Sequence, residues 1–108
     1  MDCIFCKIIK GEIPSAKVFE TDALIAFDDI EPKAKVHILI VPKKHIESVK
    51  HLEESDKDLV GEMLFTAKKI AEEKKLLGYK LVFNVGREGG QVVDHLHLHL
   101  LSPDVSSI

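Results

Sequence analysis

Leucine and histidine alternate along "DHLHLHLLS", residues 94–102, which sets His95, His97 and His99 against Leu96, Leu98 and Leu100. A period of two predicts a strand, here with one apolar face and one face that titrates near neutral pH. It closes a longer run, "VVDHLHLHLL" (92–101). Other strand candidates are "AKVFE" (16–20), "ALIAFDD" (23–29), "VHILIVP" (36–42) and "YKLVFNV" (79–85). The first two are separated by Thr21-Asp22 and read as a hairpin; the third stops at Pro42. "CIFCKIIKG" predicts a short helical turn ending near Gly11, and "KKHIESVKHLEE" (43–54) a polar connection. From Ser55 the period changes to 3.6: Leu59, Met63, Ile70 and Leu77 share a stripe with Val60, Leu64, Ala67 and Ala71. Asp58, three residues after Ser55, completes an acidic capping box, and Gly78 is the expected stop. The pattern predicts an α+β domain with a mostly antiparallel sheet, one long helix and a short N-terminal helix.

With 108 residues the chain is read as one domain, 1–108, with a small core. No run of 18 apolar residues predicts a membrane span, and "MDCIFCKIIKGEIP" lacks the layout of a signal peptide. A net charge of −3 argues against nucleic acid as a partner. Two cysteines at CxxC spacing without an export signal point to a reducing compartment, so the expected location is cytoplasmic.

Four stretches could carry chemistry. The histidine run could ligate a metal through His-x-His, or supply a nucleophile and acid–base groups; spacing alone does not separate the two. "GREGGQ" (86–91) could wrap an anion with its amides, although alone it reads as an ordinary hairpin loop. Cys3 and Cys6 could be two of four ligands to a structural ion, with His45 and one triad histidine completing the set, or simply buried thiols. In "FDDIEPKAKVH" (27–37), Asp28 and Asp29 could accept from ribose hydroxyls, though a solvated strand end is the plainer reading of Asp28. His37 could be either a packing residue or a functional one.

The run His95-Leu96-His97-Leu98-His99-Leu100-Leu101 resembles the signature of the histidine-triad (HIT) family. "IFCKIIKGEIPSAKVFETD", "AFDDIEPKAKVHILIVPKKHI" and "FNVGREGGQ" extend the likeness over nearly the whole chain, which looks most similar to the nucleoside phosphoramidase branch. The resemblance implies a HIT-like fold and a nucleotide hydrolase in which His97 attacks the α-phosphorus of a purine nucleoside phosphoramidate or related conjugate. A covalent nucleotidyl-histidine then releases the monophosphate to water. It further implies that His99 steadies the phosphoryl oxygens and His37 supports the nucleophile. Gly90 and Gln91 hold phosphate, Asp29 binds ribose, Phe27 and Ile30 wall the base, and Asn84 contacts ribose and phosphate. A structural Zn²⁺ on Cys3, Cys6, His45 and His95 is implied as well. So is a homodimer joined through "YKLVFNV" and the helix carrying Leu59 and Met63.

Alternatives are a dinucleoside polyphosphate hydrolase or nucleotidyl transferase of the same family, a tri-histidine zinc hydrolase, and a nucleotide-binding module with little catalysis. Val92 stands where relatives often carry Ser, and Asp94 where an aromatic is common; "LSPDVSSI" lacks the longer tail of some relatives. These departures bear on the leaving group and turnover.

Overall fold

The computed structural model describes residues 3–102. Helix α1 (Ile4–Ile9) precedes strands β1 (Lys17–Glu20), β2 (Leu24–Asp28) and β3 (Val36–Pro42). Helix α2 (Lys57–Glu73) follows, then β4 (Lys80–Val82) and β5 (Leu98–Ser102). The strands form one antiparallel sheet in the order β1-β2-β3-β5-β4. The architecture is the expected α+β class.

Strand alternation sends side chains to two different cores. Leu24, Ala26, Ile38, Ile40, Leu98 and Leu100 face Met63, Ala67 and Ile70 of α2. Ile25, Phe27, Leu39 and Val41 face Cys3 and Phe5 at α1. The α2 side is a dry aliphatic core in which truncating Ile40 or Met63 to Ala is expected to cost about 2–5 kcal/mol. His37 and His99 project to the α1 side, because each alternates with residues committed to the α2 side.

Helix boundaries differ from the pattern. The chain enters α2 through a 3₁₀ turn, Glu54–Asp56. The Glu53 N–H donates to the Asp56 carboxylate at 2.9 Å, and Lys44 pairs with Asp56 at 2.8 Å, so the stabilised start lies upstream of Ser55 and Asp58. The helix ends at Glu73, five residues before Gly78. Lys75 takes the left-handed conformation (φ 59°), and the Leu76 N–H returns to the Ala71 carbonyl. Leu77 therefore leaves the stripe and is fully exposed, while Met63 is wholly buried and supplies no surface for a partner. "YKLVFNV" contributes only Lys80–Val82 to the sheet.

The last strand begins at Leu98, so His95 and His97 lie outside it. Ile40↔Leu98 is the final β3–β5 pair, and Pro42 further along β3 has no N–H to offer. The Leu96 N–H instead donates to the Ile46 carbonyl at 2.6 Å. Leu96 still packs with Leu98 and Leu100, so the side-chain alternation outlasts the ladder. Among the described residues no helix is long and apolar enough to cross a membrane.

Candidate active site and metal centre

Five of the six histidines divide into two groups on the α1 side of the sheet, and His51 instead bonds Ser48. In the first, Cys3, Cys6, His45 and His95 each aim one ligand atom at a common centre. His95 Nδ1 lies 3.1 Å from His45 Nδ1, 3.2 Å from Cys3 Sγ and 3.6 Å from Cys6 Sγ, and Cys6 Sγ is 3.3 Å from His45 Nδ1. Tetrahedral zinc with bonds of about 2.3 Å to sulfur and 2.0–2.1 Å to nitrogen implies ligand–ligand edges of roughly 3.3–3.8 Å. The observed edges match to within a few tenths of an ångström. His95 Nε2–H donates to the Pro42 carbonyl at 2.8 Å, which leaves Nδ1 with its lone pair directed at the quartet. Burial lowers the His95 pKa, so the ring is neutral as ligation requires; burial and the neighbouring Cys3 raise the Cys6 thiol, an effect that a bound cation would reverse. The four residues could hold one divalent ion. A cavity of about 430 Å³ opens onto Cys3 and His45 past Glu47 and Asp94.

The second group is Asp29, His37, His97 and His99. His37 Nδ1 accepts from the Lys33 N–H at 3.1 Å, so in the neutral ring Nε2 carries the proton. Nε2 lies 2.9 Å from His99 Nδ1 and 3.5 Å from Asp29 Oδ2. His99 then accepts at Nδ1 and keeps its own proton on Nε2. The Asn84 Nδ2 amide lies 3.4 Å from that nitrogen; with the proton on Nε2, a hydrogen bond between the two requires the amide turned so that its carbonyl faces the ring. Asp29, His37 and His99 lie close enough together to suggest a second metal site. The proton on His37 Nε2 argues against it: moving that proton to Nδ1 would set two donors face to face at Lys33.

His97 has the opposite arrangement to His95. Its Nδ1 lies 2.6 Å from the His95 carbonyl and must donate to it, so Nε2 carries the free lone pair. The ring is 8% exposed. It sits between the Phe5 edge (5.1 Å between centroids, 84°) and the tilted His99 ring (4.9 Å). Burial lowers the pKa of both His97 and His37. Burial, with His97 and His37 nearby, pushes His99 down to about 4. All three are therefore neutral at neutral pH. His95, His97 and His99 do not converge on one ion, which removes the geometry of a tri-histidine zinc site.

The remaining expected residues are placed unevenly. Asp29 Oδ1 accepts from the Glu31 N–H, making a local turn, and its side chain is 20% exposed. Phe27 is 3% exposed and packs against Phe5 as core, whereas Ile30 is 87% exposed. Gln91 is a clasp: its side chain accepts from Gly86 N–H and donates to the Glu47 and Val93 carbonyls, which leaves no donor for phosphate. The amides of Gly89, Gly90 and Gln91 return to carbonyls of Gly86 and Arg87. Gly90 earns its place through a left-handed φ of 86°, not through a free amide. The reason is the 3₁₀ turn Arg87–Gly89, which closes the loop on itself. Arg87 also bridges this loop to Asp94. A larger groove, about 550 Å³ beside Phe19, Phe65 and Lys69, lies away from the histidines, so volume does not locate the chemistry.

The residues that pattern reading missed are Phe5 and the carbonyls of Pro42 and His95. Only Phe5 left a signal, as the large apolar residue inside the CxxC.

The chain matches known proteins over most of its length. The family described as "Scavenger mRNA decapping enzyme C-term binding" matches residues 2–108. Protein HitA of Neisseria gonorrhoeae is 40% identical over 105 residues, covering 96% of this chain and 98% of its own. The chain belongs to the HIT family. A HIT family hydrolase from Legionella pneumophila superposes with a TM-score of 0.91 at 48% identity, covering 94% of this chain and 92% of its own. A histidine triad nucleotide-binding protein from Candida albicans does so with 0.83 at 42% identity, over 92% and 73%.

Proposed function

We propose that this HIT-family hydrolase cleaves purine nucleoside phosphoramidates or related nucleotidyl conjugates through a nucleotidyl intermediate on His97, residues 1–108 acting as one domain. The observation that carries the reading is the tautomer of His97: with Nδ1–H held by the His95 carbonyl, Nε2 is a neutral, unprotonated nucleophile. Its attack on the α-phosphorus forms a P–N bond as the bond to the leaving group breaks. Attack of water on phosphorus then breaks the P–N bond and frees the nucleoside monophosphate. His99 Nε2–H donates to a phosphoryl oxygen as charge builds, and the Lys33–His37–His99 chain holds that proton outward. Asp29 retains acceptor capacity for ribose hydroxyls, and the nucleotide-binding name of the Candida relative supports a nucleotide as ligand. Phosphate contact through Gly90 requires the loop's internal bonds to open.

Zn²⁺ on Cys3, Cys6, His45 and His95 would supply structural cross-linking and no chemistry at phosphorus. Free thiols in such a set suit a reducing, cytoplasmic setting. A homodimer fits the exposed edge at Tyr79 and Leu81 and the outward Leu64 of α2. Comparing amide-linked with anhydride-linked nucleotides as substrates tests the assignment. Faster turnover of the amide is expected, and exclusive turnover of dinucleoside polyphosphates would favour the other branch.

A further inference from the structure

Phe5 is the structural link between the two histidine groups. It lies between Cys3 and Cys6, and its ring is 6% exposed. Its centroid lies 5.9 Å from the His95 ring, 5.6 Å from Phe27 and 5.1 Å from His97, each in an edge-to-face arrangement. The helix that carries it has six residues, too few to persist alone. What holds α1 to the sheet is this ring and the two sulfurs that flank it, with Ile8 and Ile9 packed against the same cluster. Cys3 is also the helix N-cap, its Sγ accepting from the Cys6 N–H at 3.3 Å.

His97 needs such support. It lies just ahead of the β5 ladder, between Leu96, whose N–H donates to the Ile46 carbonyl, and Leu98, the first paired residue, so the ladder holds its backbone on one side only. Its orientation depends on the bond to the His95 carbonyl, on the tilted His99 ring, and on the Phe5 edge. His99 is itself anchored through His37 and Lys33. Phe5 is anchored only as well as α1 is.

We propose that Phe5 is a positioning residue through which the Cys3–Cys6–His45–His95 centre sets the ring orientation and tautomer of His97. The inference rests on the zinc and nucleophile readings above. It makes the metal centre a determinant of the nucleophile's geometry as well as of stability. Loss of the ion loosens α1, withdraws the Phe5 edge, and lets the His97 ring rotate away from the His95 carbonyl.

The test is long-range ¹H–¹⁵N spectroscopy of histidine-labelled protein at about pH 8, where neutral imidazole dominates. Four samples are compared: zinc-loaded wild type, chelated wild type, and zinc-loaded Phe5→Leu and Phe5→Ala. Loaded wild type is expected to show His97 as one tautomer with the proton on Nδ1. Chelated wild type and loaded Phe5→Leu are expected to show both tautomers at His97, while His37 and His99 keep theirs. A merely structural defect would disturb all three. With zinc retained, Phe5→Leu should lower kcat about tenfold with KM within about twofold, as expected for a misplaced nucleophile. If Phe5→Ala does not fold, Phe5→Leu and chelation carry the test. A single His97 tautomer with unchanged kcat in Phe5→Leu would overturn the proposal, as would an unchanged tautomer after chelation. Absence of zinc from wild type would defeat the metal reading and with it the proposed coupling, whereas absence of a covalent adduct would defeat the nucleophile reading and leave the tautomer result intact.

Discussion

His95 and His97 sit two residues apart in the same alternation of leucine and histidine, and they present opposite nitrogens. His95 gives its Nε2 proton to the Pro42 carbonyl and turns Nδ1 toward two sulfurs and a second imidazole. His97 gives its Nδ1 proton to the His95 carbonyl and leaves Nε2 bare. Both rings are buried, and both have pKa values lowered by that burial. The difference lies in which backbone carbonyl each ring reaches, and in the proposed mechanism it separates a ligand from a nucleophile. Imidazole chemistry in this fold is assigned by second partners, not by spacing in the chain.

The most severe way to break the comparison is to remove one ring at a time. His97→Ala is expected to lower kcat by about a thousandfold or more while nucleotide affinity changes only a few-fold, because it deletes an atom used in bond formation. Steady-state turnover and equilibrium binding of a nucleoside monophosphate check this. His95→Ala and Cys3→Ser are expected to act first on stability, because the free energy of a closed metal site is largely folding free energy. A fall in Tm of about 10 °C or more follows if a few kcal/mol are lost from a domain of this size. Chelation should reproduce that fall in wild type and add nothing in Cys3→Ser.

Much of this division could be read from residue order, and the rest could not. The period of two at Leu96–Leu100, the CxxC, and the histidine inside "VHILIVP" each pointed to side chains that the fold brings together: His37 beside His99, and Cys3 and Cys6 beside His45 and His95. The end of the ladder at Leu98 was not legible, because it depends on Pro42, far away in the chain, having no N–H for its neighbour. The stop of α2 was missed because Lys75, not a glycine, adopts the left-handed turn. The family resemblance implied Gln91 as a phosphate contact. Its partners, Gly86, Glu47 and Val93, come from three segments that only the folded chain brings together.

Smaller effects sharpen the second group. His37→Ala should lower kcat about tenfold, since His99 then loses the partner that fixes its tautomer, and bonds in such a chain reinforce one another. His99→Asn should also flatten the acid limb of stability. Burial, with His97, His37 and Lys33 nearby and Asp29 opposing, depresses the folded-state pKa of His99 from 6.5 to about 4. The unfolded chain therefore takes up a proton first as pH falls, and stability present above 6.5 is lost between 6.5 and about 4. Thermal melts across that window should show a shallower decline in the variant than in wild type. Asp29→Asn should give the smallest change, a few-fold loss of affinity for ribonucleotides that 2′-deoxy analogues do not share, because a charged acceptor becomes a neutral one. Equal losses for both would detach Asp29 from the ribose.

The most direct test is rapid quench of the wild-type enzyme with a labelled nucleoside phosphoramidate, followed by peptide mapping under basic conditions that preserve a phosphorus–nitrogen bond. Label on His97 Nε2, none on His95 or His99, and none in His97→Ala is the predicted result. Normal turnover by His97→Ala, with no label trapped on wild type, would contradict the assignment of the free nitrogen as the nucleophile.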